Sequence, residues 1–251
     1  MLADREIIVG VAGGVAAYKA AALTSLLATR GGFPVSTTHA LVGGIVGAGL
    51  ASGGGVRWPA LGATVLYPLA VSPIVAAALA AAACLALAAV RLLPDRRGPW
   101  LDPLHYASAG GASFARGLND TPKMAALLSV LPDVEGWPAF LGVATLIALG
   151  GLLDARNVGE TLGRRVTGMS PGEGFVASLV TAVLVATASL HGLPVSTTHV
   201  SVGALAGMGA VTGRACWRKV GEILLAWVCT VPCGAILAAT AFFAIGRLFP
   251  G

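Results

Sequence analysis

Apolar residues in this chain come in long runs, not in the alternation of a half-buried strand. They fill Ile74–Leu93, Leu104–Leu131, Trp137–Leu153, Phe175–Leu190 and Ile223–Leu248. Most of these runs reach or approach the roughly 20 residues that carry a helix across a hydrocarbon core. The pattern therefore predicts an all-α chain of apolar helices. Residues 7–29 read as one more apolar helix, with Lys19 buried or snorkelling. Residues 59–93 are too long for one untilted span, and the last run is long enough to tilt or to carry a kink at Pro232. Two stretches break the pattern. Residues 94–103 form a Pro-rich, charged connector, and residues 154–174 a polar loop whose middle predicts a short surface helix ending before Ser170-Pro171-Gly172.

Composition narrows the class. Charged residues make up 11% of the 251, against about 25% in soluble domains, and apolar residues make up 56%. The mean hydropathy is +0.84. So few charges cannot clothe a soluble fold of this size, and so apolar a chain is not intrinsically disordered. A polytopic membrane protein, with the lipid bilayer as its surroundings, is what remains. No signal peptide is evident near Asp4, Arg5 and Glu6. The net charge of +5 does not point to nucleic acid. Its carriers cluster in breaks between apolar runs, at Arg91, Arg96 and Arg97, at Arg156, Arg164 and Arg165, and at Arg214, Arg218 and Lys219. That is the placement of cytoplasmic-loop cations, not of a continuous basic face. Cys84, Cys216, Cys229 and Cys233 form no CxxC pair and read as inert thiols, with no metal site.

The chain also repeats itself. Residues 32–49, GFPVSTTHALVGGIVGAG, and 192–209, GLPVSTTHVSVGALAGMG, are identical at 11 of 18 positions. Trp58 and Trp217, Gly62 and Gly221, and Pro73 and Pro232 extend the echo. Internal duplication in an apolar chain is a property of many transporters. In each copy Gly and Pro interrupt the apolar run, and three hydroxyls follow: Ser36, Thr37 and Thr38, then Ser196, Thr197 and Thr198. A helix starting there gathers unbonded N–H groups, hydroxyl donors and a positive dipole end, which together suit an oxyanion. The plainer alternative is that the hydroxyls only cap the helices while the glycines pack against neighbours. Two matching copies favour the anion site. The imidazoles of His39 and His199 are expected to be neutral and structural.

Asn119 and Asp120 stand inside the second long run, with Arg116 and Lys123 three or four residues away. Ionisable groups within a span are costly and usually functional. A carboxylate beside an amide oxygen suits a small hard cation or a proton, and Lys123 or Arg116 can compensate Asp120. The bland reading is a charge-compensated helix end at Pro122.

These residues together resemble the inorganic phosphate transporter (PiT) family. The resemblance rests on Pro34–His39, Pro194–His199 and Gly117-Leu118-Asn119-Asp120, with the Arg156–Phe175 loop also similar, and covers about residues 32–248. It implies internal, inverted repeats with two re-entrant helical hairpins. Phosphate would lie between the Ser-Thr-Thr hairpins (Ser36, Thr37, Thr38, Ser196, Thr197, Thr198). The coupling ion, sodium or a proton, would sit near Asn119 and Asp120, with Lys123 and Arg116 compensating charge. It further implies a multi-pass protein of the cell membrane, neither an enzyme nor a cofactor binder, and leaves room for a homo-oligomer.

The expected division is a non-family segment at 1–31, the remainder of a first repeat at 32–93 and a second repeat at 94–251. The family pattern carries a second Asn-Asp motif before the first hairpin, and none is found there, so the first repeat is expected to be incomplete. Residues 5–31 instead resemble the opening strand, Gly13-Gly14 turn and first helix of an FMN-binding flavoprotein of the phosphopantothenoylcysteine decarboxylase type. Some thirty residues cannot hold a flavin. Two functions follow as expectations: cation-coupled phosphate symport by alternating access, or a transport-inactive fragment or fusion. In an active chain, His199→Gln should leave the pH dependence of phosphate uptake in place, and loss of that dependence would assign the imidazole a proton.

Overall fold

Where water is absent, backbone N–H and C=O groups must be satisfied within their own segment, and helices do this. The computed structural model describes residues 16–17, 19–26, 28, 30–90, 98–128 and 136–248, with the backbone alone at 154, 155 and 157. Its regular elements are all helical, with one isolated antiparallel bridge, between Thr167 and Ala215. The described residues from 16 to 30 form α1. There follow α2 (Thr37–Ala51), α3 (Trp58–Leu61), a π-helical stretch (Gly62–Leu66), α4 (Tyr67–Ala89), α5 (Leu101–Leu128), α6 (Trp137–Glu160), a second π-helical stretch (Thr161–Val166), α7 (Pro171–Leu190), α8 (Thr197–Thr212) and α9 (Trp217–Leu248).

By length and composition three described helical stretches can cross a membrane: Trp58–Ala89, Pro171–Leu190 and Trp217–Arg247. A fourth is possible if the bent pair Trp137–Leu153 and Val158–Val166 forms one span. α6 breaks after Leu153, and the short helix expected in the polar stretch is Val158–Val166, which widens into the π-helical turn before Ser170. Pro122 does not end α5, which continues to Leu128. Pro73 and Pro232 likewise lie inside continuous helices. The Gly13-Gly14 turn and the Arg91, Arg96 and Arg97 cluster lie outside the described residues.

The chain divides into two compact units, each assembled from separate segments: residues 1–58, 120–155 and 225–251 in one, 59–119 and 156–224 in the other. At the heart of the first unit is α2, buried along most of its length. Its glycines let neighbouring backbones come close. A Cβ on Gly43 would overlap the carbonyl oxygen of Val231, and one on Gly47 that of Ala235, both on α9. A Cβ on Gly44 would stand 2.7 Å from the Ala17 carbonyl oxygen on α1. Met124 and Leu127 of α5 pack on Ala21, Ala40 and Leu41.

In the second unit α8 plays the same part. A Cβ on Gly203 would overlap the carbonyl oxygen of Pro73, and one on Gly207 that of Ala77, both on α4. Small residues at such crossings let whole backbones touch, which replaces the hydrophobic drive that lipid removes. The entry of α7 is fixed by a capping box between Ser170 and Glu173, with Pro171 in the first turn. Arg214, just past α8, pairs with the buried Glu173 carboxylate. Cys216 N–H donates to the Val166 carbonyl at 2.9 Å, tying the π-helical stretch to the start of α9.

Substituting Leu at Gly47 or Gly207 should destabilise the protein by about 1–3 kcal/mol or more, through overpacking. Thermal unfolding in detergent reads this as a fall of several degrees. Gly110→Ala, where an added Cβ meets open space, should leave the midpoint within a degree or two or raise it slightly.

Candidate functional site

Both Ser-Thr-Thr motifs are built by one local recipe. A helix ends in a glycine at positive φ, 71° at Gly32 and 67° at Gly192, a conformation that a side chain would strain. Phe33 N–H reaches back to the Ala28 carbonyl, and Leu193 N–H to that of Ala188, each at 2.9 Å, as in a Schellman-type ending. Pro34 and Pro194 then stop helix formation. Tight turns follow, Val35 N–H to the Phe33 carbonyl and Val195 N–H to the Leu193 carbonyl, both at 2.9 Å. Ser36 and Ser196 lie in extended conformation and cap the next helix: their Oγ atoms accept from His39 N–H at 3.2 Å and His199 N–H at 3.3 Å.

The capping reading is therefore real, yet it uses only an acceptor lone pair of each serine. The hydroxyl hydrogens remain to be directed elsewhere. Ser36, Thr38, Ser196, Thr197 and Thr198 are all buried, and Thr37 is half-buried. Thr197 Oγ1 is a buried hydroxyl without a hydrogen-bond partner among the described residues. A buried hydroxyl left unpaired costs about 1–3 kcal/mol, so a bound acceptor there would recover that energy.

The second expected cluster is split by the fold. The division between the units falls between Asn119 and Asp120, within the single helix α5. Asn119 serves the second motif. Its Nδ2 donates to the Val195 carbonyl at 3.0 Å, and its Oδ1 accepts from Ser189 Oγ at 3.4 Å. Asp120 and Lys123 face the first. Lys123 Nζ lies 3.8 Å from Asp120 Oδ1 and donates to Thr38 Oγ1 at 3.2 Å. Both carboxylate and amide are buried. Arg116, one turn earlier, is exposed, and Lys123 lies beside Asp120.

Sequence reasoning missed three partners. Ser189 and Trp227 hold the motifs from outside; the Trp227 indole N–H donates to the Pro34 carbonyl at 2.8 Å. Glu173 and Arg214 form the third. Serine and tryptophan in apolar helices are ordinary packing residues, so nothing in their sequence context marked them. A cavity of about 220 Å³ in the second unit, lined by His105, Ser178, Thr181 and Ser201 among others, contains none of the expected donors. Among the described residues no group of three or more His, Cys, Asp or Glu side chains suits a metal ion.

Buried hydroxyls at two helix starts, with a paired Asp and Lys, stand in an apolar helical chain of the kind that crosses membranes. The comparisons with known proteins make the class specific. The model of the phosphate transporter family matches residues 2–98 and 93–238, and the chain belongs to that family. The match takes in residues 5–31, so the flavoprotein resemblance gains no support, and the described part of that segment packs on α2 as α1. A probable low-affinity inorganic phosphate transporter of Rhizobium meliloti is 33% identical over 85% of this chain and 68% of its own length. A putative phosphate permease of Mycobacterium bovis is 38% identical over 57% of this chain, which spans 28% of that relative. One of Pyrococcus furiosus is 27% identical over 94% of this chain and 77% of its own. The fold matches a solved sodium-dependent phosphate transporter with a TM-score of 0.83 at 23% identity, over 97% of this chain and 81% of that one. Like its relatives, the chain is a transporter-family protein and not an enzyme.

Lys123→Met should destabilise the protein by roughly 3 kcal/mol, since it takes the cation away from a buried carboxylate. Asp120→Asn in the same chain should restore part of that loss. A double-mutant cycle on thermal midpoints, coupling by about 1 kcal/mol or more, checks the pair.

Proposed function

We propose that this protein carries inorganic phosphate across the cell membrane by alternating access, coupled to a cation, either sodium or a proton. The observation that carries the reading is the pair of Ser-capped helix starts, where buried hydroxyls are presented at positive helix ends and Thr197 Oγ1 has no hydrogen-bond partner among the described residues. Phosphate offers acceptors on every side and takes several neutral donors at once. Ser36, Thr37 and Thr38, with Ser196, Thr197 and Thr198, would supply them. Neutral donors have a further advantage in a carrier: they hold the anion without the grip of a fixed opposite charge, so release remains accessible.

Charge balance then falls to the Asn-Asp motif. Asp120 with the Asn119 amide oxygen would take the coupling cation, and Lys123 would compensate the carboxylate when that cation is away. An Asp serves sodium and proton equally well, and both ions belong to the proposal. Family membership and the phosphate names carried by the relatives support the substrate class.

The test is reconstitution of the purified chain in liposomes under imposed sodium and proton gradients. The wild type should accumulate phosphate against its gradient, and Asp120→Asn should abolish accumulation. Ser196→Ala with Thr197→Ala should weaken phosphate binding by at least about 2 kcal/mol, the loss of two hydrogen bonds to a charged group, and Ser36→Ala with Thr37→Ala should do likewise. A folded wild-type chain that accumulates no phosphate under any gradient would overturn transport by this chain alone. Unchanged phosphate binding in both double mutants would overturn the hydroxyl site.

A further inference from the structure

The two units hold their buried helices by glycine contacts at the same four-residue spacing but finish the job differently. On α9 the residues Trp227, Val231 and Ala235 follow at intervals of four and so share a face. Val231 and Ala235 are the residues whose carbonyls touch Gly43 and Gly47 of α2. On α4 the corresponding face is Leu69, Pro73 and Ala77, with Pro73 and Ala77 touching Gly203 and Gly207 of α8. One turn beyond the glycine contacts, then, stands Trp227 in one unit and Leu69 in the other. Both are buried, at 4% and 2% exposure. Leucine has nothing to donate. Tryptophan does, and its indole N–H lies 2.8 Å from the Pro34 carbonyl, across 193 residues of sequence.

That carbonyl belongs to the extended segment that leads into Ser36. In the second unit the neighbouring peptide of the equivalent segment, Val195, is held by Asn119 of the Asn-Asp motif. We infer that Trp227 is a positioning residue for the first Ser-Thr-Thr turn, giving it through an indole N–H the outside anchor that an amide gives the second. The two motifs, near-identical in sequence, thus depend on different donors. A tryptophan that only filled space would be served equally by phenylalanine. One that orients the segment would not, because removing the N–H leaves a buried proline carbonyl with its anchor gone.

The consequence for phosphate rests on the proposed function; the consequence for the backbone does not. Hydrogen exchange of the purified full chain, followed by mass spectrometry, reads peptides covering residues 33–41 and 193–201 side by side. Trp227→Phe should speed exchange in 33–41 by about fivefold and leave 193–201 unchanged, the scale of one net hydrogen bond. In liposomes it should raise the half-saturating phosphate concentration by about the same factor with little change in maximal rate. Trp227→His, which restores a ring N–H, should recover part of both effects. Should Phe disturb folding, a benzothienylalanine at position 227 keeps the ring shape and replaces the N–H by sulfur, and gives the same comparison. Equal exchange at both motifs in these variants overturns the inference, as does a fall in maximal rate with unchanged half-saturation. If the wild type shows no response to phosphate, the functional reading falls, while the exchange data still decide the role of Trp227.

Discussion

The contact on which the rest of this structure depends is the approach of one helix backbone onto the glycines of another. At Gly43 and Gly47, and again at Gly203 and Gly207, a neighbouring carbonyl occupies the space that a Cβ would need. Lipid offers no gain for hiding apolar side chains, so helices in a membrane associate through intimate van der Waals packing and weak C–H···O contacts. Because α2 and α8 are clamped in this way, their first turns are buried, and hydroxyl groups can be held at those starts without water to satisfy them. The donor chemistry follows from the packing.

A second constraint acts along α5. Charge within an apolar chain is expensive, and on α5 a buried carboxylate has its compensation built in. Asp120 and Lys123 form a pair one turn apart, and Lys123 reaches Thr38 of the first motif. Asn119, one residue before Asp120, is committed to the second. Adjacent side chains on a helix diverge by about 100°, so a two-residue motif can address two different neighbours. One short stretch of α5 therefore reaches both Ser-Thr-Thr motifs, each within its own compact unit.

Much of this was legible beforehand, and for identifiable reasons. Long unbroken apolar runs predict helices because a helix satisfies its own backbone in lipid, whereas a barrel strand alternates, and α4, α5, α6, α7 and α9 follow them closely. The doubled Pro-Val-Ser-Thr-Thr-His marked both helix starts because proline, glycine and a serine cap act locally, within a few residues. Helix interiors were harder to read. The plainer reading of the Asn-Asp region, a helix end at Pro122, does not hold, since α5 continues to Leu128.

The sequence by itself determined the helical class, the membrane setting, the two capped starts and the presence of a charged motif on α5, since each depends on composition or on contacts spanning only a few residues. It said nothing of which segments combine into each compact unit, nor that α9 closes on α2 while α4 closes on α8. Trp227, Leu69, Ser189 and Asn119 acquire their separate parts only there. Those assignments join residues up to 193 positions apart. A side chain's own identity sets what bond it can make; only the packed helices decide which distant carbonyl comes within reach to receive it.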